Sequence, residues 1–492
     1  MNTNTQNRIT NNTVTGSPRI TDFTPYMNME NRVMMADSYK YSHAFQYPKM
    51  TSMFDYMSSR GGVYPKTVFV GAQPISKKFA SPIEQWEVDE AFGDAQAHGV
   101  PFDVEGWDYI VQTLNGNIPV EIRSIEEGTV IPVNMVLMTF ESTDTRVPWV
   151  AGWLETIYMK TWYPTTIATK SYYVKQMLMK YGSPEWAAFA YHNFGDRGSS
   201  SVESAAIGGF AHSTIFMGTD NFNSIRYCRN MYNMKQVASF SVFATEHSTT
   251  TANADGSTKK EIAFIERMLI ENPDAPIMSF VADSYDVFNF TNKVTGKDSW
   301  IRETIESRPN QKFVIRPDSG NPMEVIKRMI EIMEENDVFD IEIPGQDGIM
   351  RKASSNYGIL WGDGITPEVI EEILIMVTEM GYAAENMVFG SGGDLMQNVN
   401  RDTQRFAIKC SSITRPDGTE QDVFKNPVTD PSKASKKGRI TTYRNSVTGN
   451  YEVRRINESC DDFTDALVTV FKNGKIIKDF TMDEVRANTN KA

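Results

Sequence analysis

Cysteine is scarce: Cys228, Cys410 and Cys460 are the only three in 492 residues, with no ligand spacing and no even-numbered framework. That excludes a disulfide-stapled scaffold and fits a reducing compartment, the cytoplasm. Histidine is hardly more abundant, with five residues (His43, His98, His192, His212, His247) and no HExxH-like cluster, so no protein-ligated metal is expected. Long apolar runs are missing as well. None reaches the ~18–20 residues of a membrane span, so no membrane partner is expected. Positive charge is in deficit, 49 basic against 62 acidic residues. A net charge of −13 lacks the basic face that nucleic acid demands, although a locally basic site for a small anion remains compatible with it. Residues 1–22, rich in Asn and Thr, lack the apolar segment of a signal peptide and read as a disordered extension.

What is present is a rhythm. Between about 186 and 411 a short apolar run is followed by a polar, Gly- or Ser-containing turn and then a helical pattern, repeatedly. The runs are AAFAYHNFG, STIFMGTD, VASFSVFATEH, APIMSFVADSYD, KFVIRPDSGNP, YGILWGDGIT and ENMVFGSGGD, with RFAIKCSS as a candidate eighth. Strands alternating with helices imply parallel pairing through crossovers. Two helices are legible in detail. Pro322 suits a first helical position ahead of Val325, Ile326, Met329, Ile330 and Met333, and Thr366-Pro367 opens a helix that Gly381 ends. Seven or eight such units over about 225 residues approach the ~250 of a (β/α)₈ barrel, with an open doubly wound sheet as the competing architecture. The fold class is therefore α/β, an irregular barrel over 186–411. Residues 23–185 and 412–492 lack the rhythm and form a second, mixed α/β domain built from both ends of the chain. A hairpin through Asn473-Gly474 lies in its last part.

In either architecture ligands sit at the carboxyl ends of the strands, where the unusual polar residues fall. Gly390-Ser391-Gly392-Gly393 would let backbone N–H groups approach a phosphate, with Gly362-Asp363-Gly364 at the neighbouring strand end. Arg316 and Asp318, two apart in an extended segment, project the same way and offer a planar cation and a carboxylate for a sugar hydroxyl. His247, beside Glu246, can serve as nucleophile or acid/base. Asp283 and Asp286 stand at another strand end. Phe194 and Arg197 supply a stacking face and a cation, and Asp220 could accept from a substrate N–H. Lys425, Lys433, Lys436, Lys437 and Arg439 form a basic stretch in an acidic chain. By itself that stretch reads as a solvated loop.

In order along the chain, the stretches DSYK, WYP, EHST, DSYD, IRPDSGNP, GDG, FGSGG, KCS and SKKGR make it resemble the nicotinamide phosphoribosyltransferases (type II) from about Asp37 to Arg486. That resemblance implies phosphoribosyl transfer from 5-phosphoribosyl-1-pyrophosphate to nicotinamide, giving nicotinamide mononucleotide and pyrophosphate in NAD salvage. It also implies a homodimer with active sites shared at the interface. Phe194 and the partner's Tyr39 would sandwich the nicotinamide, Asp220 would accept from its carboxamide, and Arg316 would lie near ring and phosphates. Asp318, Gly362 and Asp363 would hold the ribose, and Gly392 and Gly393 its phosphate. Arg197, His247, Arg316, Arg60, Arg401, Lys409, Lys425 and Lys433 would face pyrophosphate. The catalytic set would be His247, Asp283 and Asp318, with His247 phosphorylated by ATP as an activating co-substrate. Mg²⁺ would arrive with the substrate phosphates. The chain departs from the family at Asn193 and Asp196, where an Asp and an aromatic are usual. Rival readings are a nicotinate-specific enzyme, another phosphate-binding barrel, or a non-enzymatic binding protein. Asp220 favours the amide, because nicotinate would set a second negative charge against it.

Overall fold

The computed structural model describes residues 30–429, 434–458 and 461–491. The expected N-terminal extension, Lys433 and Cys460 lie outside them. The terminal segments build one seven-stranded sheet. Its first half contributes β1 (Ser52–Ser59), β2 (Val120–Ile125) and β3 (Met138–Ser142), after which helix α1 (Trp162–Leu178) leads toward the barrel. The barrel strands are β4 (Tyr191–Asn193), β5 (Phe243–Ala244), β6 (Ile277–Val281), β7 (Lys312–Arg316), β8 (Tyr357–Trp361) and β9 (Met387–Ser391). The first sheet is then completed by β10 (Phe406–Thr414) and β11 (Leu467–Lys472), with short edge strands at Glu420–Asp422 and Lys475–Ile476, so both ends of the chain share it.

Every pairing among β4–β9 is parallel, in the order β4-β9-β8-β7-β6-β5. This order runs round without the central reversal of a doubly wound sheet. Its two ends are joined through residues 217–220, by the parallel bridges Asn193↔Thr219 and Gly218↔Phe240. The seven apolar runs of the sequence therefore all enter one curled ring, irregular because one member is held only by bridges. The candidate eighth run is a correction: Phe406–Thr414 pairs antiparallel with β1 along its length, and the boundary drawn at 411 falls inside it. A parallel return needs a substantial crossover, usually a full helix. The segment before β10 holds only a five-residue helix, Gly393–Gln397, and a 3₁₀ turn.

Local chemistry explains the well-read helices. In α2 (Pro322–Glu335) Asn321 caps the N-terminus by accepting from the amides of Met323 and Glu324, and Val325, Ile326, Met329, Ile330 and Met333 are all buried. In α3 (Pro367–Glu379) Thr366 accepts from the Val369 amide, and Gly381 beyond the end takes φ +90°. Each of those aliphatic side chains contributes roughly 1.5–3 kcal/mol on leaving water. Between α2 and β8 an antiparallel hairpin (Ile341–Pro344 with Met350–Ala353) is inserted. At the C-terminal hairpin Asn473 and Gly474 both adopt positive φ, the backbone of a type I′ turn.

The last helix, α4 (Met482–Thr489), docks on the weak side of the ring. Arg486 donates to the carbonyls of Ser213 (2.8 and 2.6 Å), Phe216 (3.1 Å) and Ala238 (2.5 Å), which flank the bridge-held strand and the run into β5. Among the described residues no helix is long and apolar enough to cross a membrane.

Candidate active site

Strand register decides which side chains share the barrel interior. Val281 pairs with Arg316, Gly358 with Val314, Leu360 with Val388, and Gly390 with His192. Alternation along each strand then carries Asp283, Asp318, Gly362, Gly392 and Phe194 to one end on the same face. Contacts confirm the convergence. A β-carbon at Gly390 would lie 1.9 Å from the Phe194 ring, and one at Gly362 would lie 3.4 Å from that ring and 3.7 Å from the Asp318 carboxylate. The ring is thus seated on glycine backbone, and its position depends on Gly390 having no side chain.

His247 opens the helix His247–Ala254 and is about half exposed. Its Nε2 lies 3.0 Å from Asp283 Oδ1 and its Nδ1 4.0 Å from Asp318 Oδ2. The second oxygen of Asp283 accepts from the Ser319 hydroxyl. With Nε2–H donated to Asp283, Nδ1 is the nitrogen left open. Burial raises the Asp318 carboxyl above its ordinary value, opposed by Arg316, with Asp283 and Asp363 pushing the same way as burial. Arg316 donates to the Thr245 carbonyl at 2.6 Å, while its buried Nε–H has no partner. Asp220 accepts from the Ser241 hydroxyl at 2.6 Å, and its amide donates to Asn193 O at 3.0 Å. Beneath it the His192 imidazole is held below its usual range by burial, against the pull of Asp220.

The glycine loop lies against the turn that carries Phe194. The Phe194 amide donates to Ser391 O at 2.9 Å, and a β-carbon at Gly392 would be 3.5 Å from Phe194 O. At Gly393 a β-carbon would meet nothing within 4 Å, so the loop faces open space there. Asn193 Oδ1 accepts from the Gly195 amide at 2.8 Å, a task an aspartate would also perform, and its Nδ2 is buried without a partner. Asp196 makes no ion pair with Arg197, which is exposed.

One chain thus brings together Phe194, Asp220, His247, Asp283, Arg316, Asp318, Gly362, Asp363, Gly392 and Gly393, with Arg197 at the rim. Other candidates lie elsewhere. Tyr39, more than half exposed, is on the 3₁₀ helix Ser38–Phe45. Arg60 follows β1, its Nε donating to Arg405 O at 3.4 Å, and Arg401 starts a 3₁₀ turn beside it. Lys409 is on β10, 3.9 Å from Glu155, and the Lys425 amide donates to Ser435 Oγ. No hydrogen bond or ion pair among the described residues links these five to the barrel cluster. Asp286 is occupied as the cap of the helix Val287–Thr295, accepting from Phe288 and Asn289. Arg439 pairs with Glu141 and Glu420.

Several participants were not read from the sequence. Ser241 and Ser319 orient carboxylates, and Ser279, opposite Val314 on the same strand face as Val281, presents a buried, unpartnered hydroxyl. Strand parity two and four residues before Asp283 could have flagged Ser279. For Ser241 no local signal exists.

The chain thus places its polar cluster at the carboxyl ends of a parallel barrel joined to a domain built from both termini. It superposes on a nicotinate-nucleotide pyrophosphorylase from Pyrococcus furiosus with a TM-score of 0.59, at 14% identity over 94% of this chain and 95% of that one. Human nicotinic acid phosphoribosyltransferase gives 0.52, at 12% identity over 93% of each. These likenesses concern the fold. In sequence, residues 189–475 match the nicotinate phosphoribosyltransferase (NAPRTase) family and residues 31–122 the nicotinamide phosphoribosyltransferase N-terminal domain. A nicotinamide phosphoribosyltransferase of Xanthomonas campestris pv. campestris is 40% identical over 94% of this chain and 99% of its own length. One from Acinetobacter baylyi is 28% identical over 93% and 96%. The chain belongs to the nicotinate/nicotinamide phosphoribosyltransferase family of pentosyltransferases.

Proposed function

We propose that the chain transfers the phosphoribosyl group of 5-phosphoribosyl-1-pyrophosphate to nicotinamide, releasing nicotinamide mononucleotide and pyrophosphate in NAD salvage in the cytoplasm. The observation that carries the reading of the substrate is the Asp220 carboxylate on the same interior face as Phe194, oriented by Ser241. A carboxamide stacked on Phe194 donates to that carboxylate, whereas a nicotinate carboxylate meets a like charge there. The full-length relatives named for the amide support the same choice.

In this reading Phe194 and Asp220 orient the pyridine nitrogen toward the ribose C1, and the new C–N bond forms as the pyrophosphate oxygen departs. Asp318, Gly362 and Asp363 take the ribose hydroxyls, Gly392 and Gly393 the 5-phosphate, and Arg316 and Arg197 the developing pyrophosphate charge. Among the described residues no three His, Cys, Asp or Glu side chains are grouped to hold a metal ion. In this reading Mg²⁺ arrives with the polyphosphate substrates, whose oxygens are suited to it. We also assign His247 as the residue phosphorylated by ATP, its tautomer set by Asp283 and its Nδ1 open to attack. A homodimer would bring Tyr39 and Arg60 of a second subunit to each barrel mouth, with Arg401, Lys409 and Lys425 also facing the pyrophosphate, and Lys433, outside the described residues, given the same role. Tyr39, more than half exposed, and Arg60, also exposed, are available to such a partner, which supports that arrangement.

The deciding experiment is a product assay offering nicotinamide and nicotinate in competition, with and without ATP. Nicotinamide mononucleotide as the main product, at a rate increased by ATP, is expected. Preference for nicotinate would overturn the substrate assignment, and indifference to ATP would overturn that of His247.

A further inference from the structure

Immediately after Gly392 and Gly393 comes a carboxylate, Asp394, at a place where negative charge opposes the binding of an anion. It does not stand alone. Lys170, projecting from α1 and 5% exposed, donates from Nζ to Asp394 Oδ2 at 2.6 Å and to the Asp394 main-chain oxygen at 2.8 Å. The other carboxylate oxygen accepts from Asn398 Nδ2 at 2.9 Å. Both side chains of the ion pair are largely out of water, 7% and 14% exposed, so solvent screens the pair poorly. Lys170 therefore performs two separable tasks: its charge balances Asp394, and its bond to the main-chain oxygen ties the glycine loop to α1.

We propose that Lys170 is a positioning residue for the phosphate of the phosphoribosyl substrate, cancelling the Asp394 charge and tethering the backbone of the Gly392–Asp394 loop. This rests on the reading that the loop holds that phosphate. Lys170→Met removes both the balancing charge and the tether, leaving a poorly solvated carboxylate beside the bound anion. Asp394→Asn keeps the main-chain tether and leaves an uncompensated positive charge. Lys170→Met is therefore expected to raise the KM for 5-phosphoribosyl-1-pyrophosphate, and Asp394→Asn not to raise it. An ordinary structural role would raise it in both.

The experiment measures KM for each substrate in wild type, Lys170→Met, Asp394→Asn, the double variant and Gly393→Ala, with thermal melts to establish folding. Lys170→Met should raise KM for the phosphoribosyl substrate at least about tenfold, the effect of one uncompensated charge near a bound anion. KM for nicotinamide should stay within about twofold, as the charge acts on the anion. Asp394→Asn should leave the phosphoribosyl KM equal or lower, and the double variant should fall between wild type and Lys170→Met. A wild-type KM in Lys170→Met, or a rise in Asp394→Asn, overturns the proposal. If Lys170→Met does not fold, the direction in Asp394→Asn decides. Gly393→Ala adds a methyl where the fold has room, so it tests the loop itself. A rise there without an effect of Lys170 refutes only the role of the pair, whereas no change there refutes the assignment of the loop.

Discussion

Asp220 and His247 carry the two most specific parts of the proposed reaction, and each is held by a neighbour. Ser241 fixes one oxygen of Asp220, so the other remains for the substrate amide. Asp220→Ser should relax discrimination against nicotinate by about tenfold or more, since one removed like-charge contact is worth about 1.4 kcal/mol or more. An unchanged ratio of kcat/KM for the two pyridines would count against the hydrogen bond. For His247→Ala the ATP-dependent enhancement is expected to vanish while a slower ATP-independent reaction remains. A variant as active as wild type with ATP present would remove the phosphohistidine. The residues themselves were readable because each stands in a short motif at a strand end. Their orienting serines were not, since Ser241 meets Asp220 only after the chain has returned through the helix Phe222–Met231.

At the scale of elements, the pair β1–β10 holds a buried carboxyl. Asp55 lies opposite Cys410, and one of its oxygens has no partner. Burial first, and Glu155 second, push its carboxyl from 3.8 up to about 7, with Lys40, Cys410 and Lys409 opposing. The folded protein thus holds this proton more tightly than the unfolded chain does. The corresponding stability is present below the unfolded value and is lost as pH rises toward about 7. Asn takes no part in this titration. Urea midpoints of Asp55→Asn should therefore gain on wild type as pH rises from about 4 to about 7, and a constant gap would show that Asp55 is already ionised when folded. Glu261, raised to about 7 by burial with help from Asp283, leaves a residual slope in both proteins. Elements with a strong local signal, such as α2, α3 and the Asn473-Gly474 hairpin, were legible to within a residue or two. RFAIKCSS was not: a fully paired apolar strand reads the same whether its neighbour is parallel or antiparallel, and only β1 decided between them.

For the molecule as a whole, α4 closes the fold on the ring's weakest side. Arg486→Met removes the donors to Ser213, Phe216 and Ala238, and should cost about 2–4 kcal/mol in stability while raising the KM for nicotinamide through the strand bearing Asp220. A thermal midpoint and KM close to wild type would show that the ring does not depend on this clasp. Sharing of sites between subunits has its own measurement. Arg60→Ala mixed with an inactive barrel variant such as Asp318→Ala should recover part of the activity in mixed dimers. Absence of rescue would place each site within one chain. The sequence by itself determined the alternating strands and helices, the caps and turns, and the candidate residues at strand ends, because these depend on neighbours a few positions away. Tertiary structure alone decided that seven runs join in a ring, that Phe194 rests on Gly390, that Lys170 pairs with Asp394, and that Lys409 lies on a strand of the other sheet, near Glu155. Each of those depends on register and approach between segments tens to hundreds of residues apart, for which local periodicity carries no information.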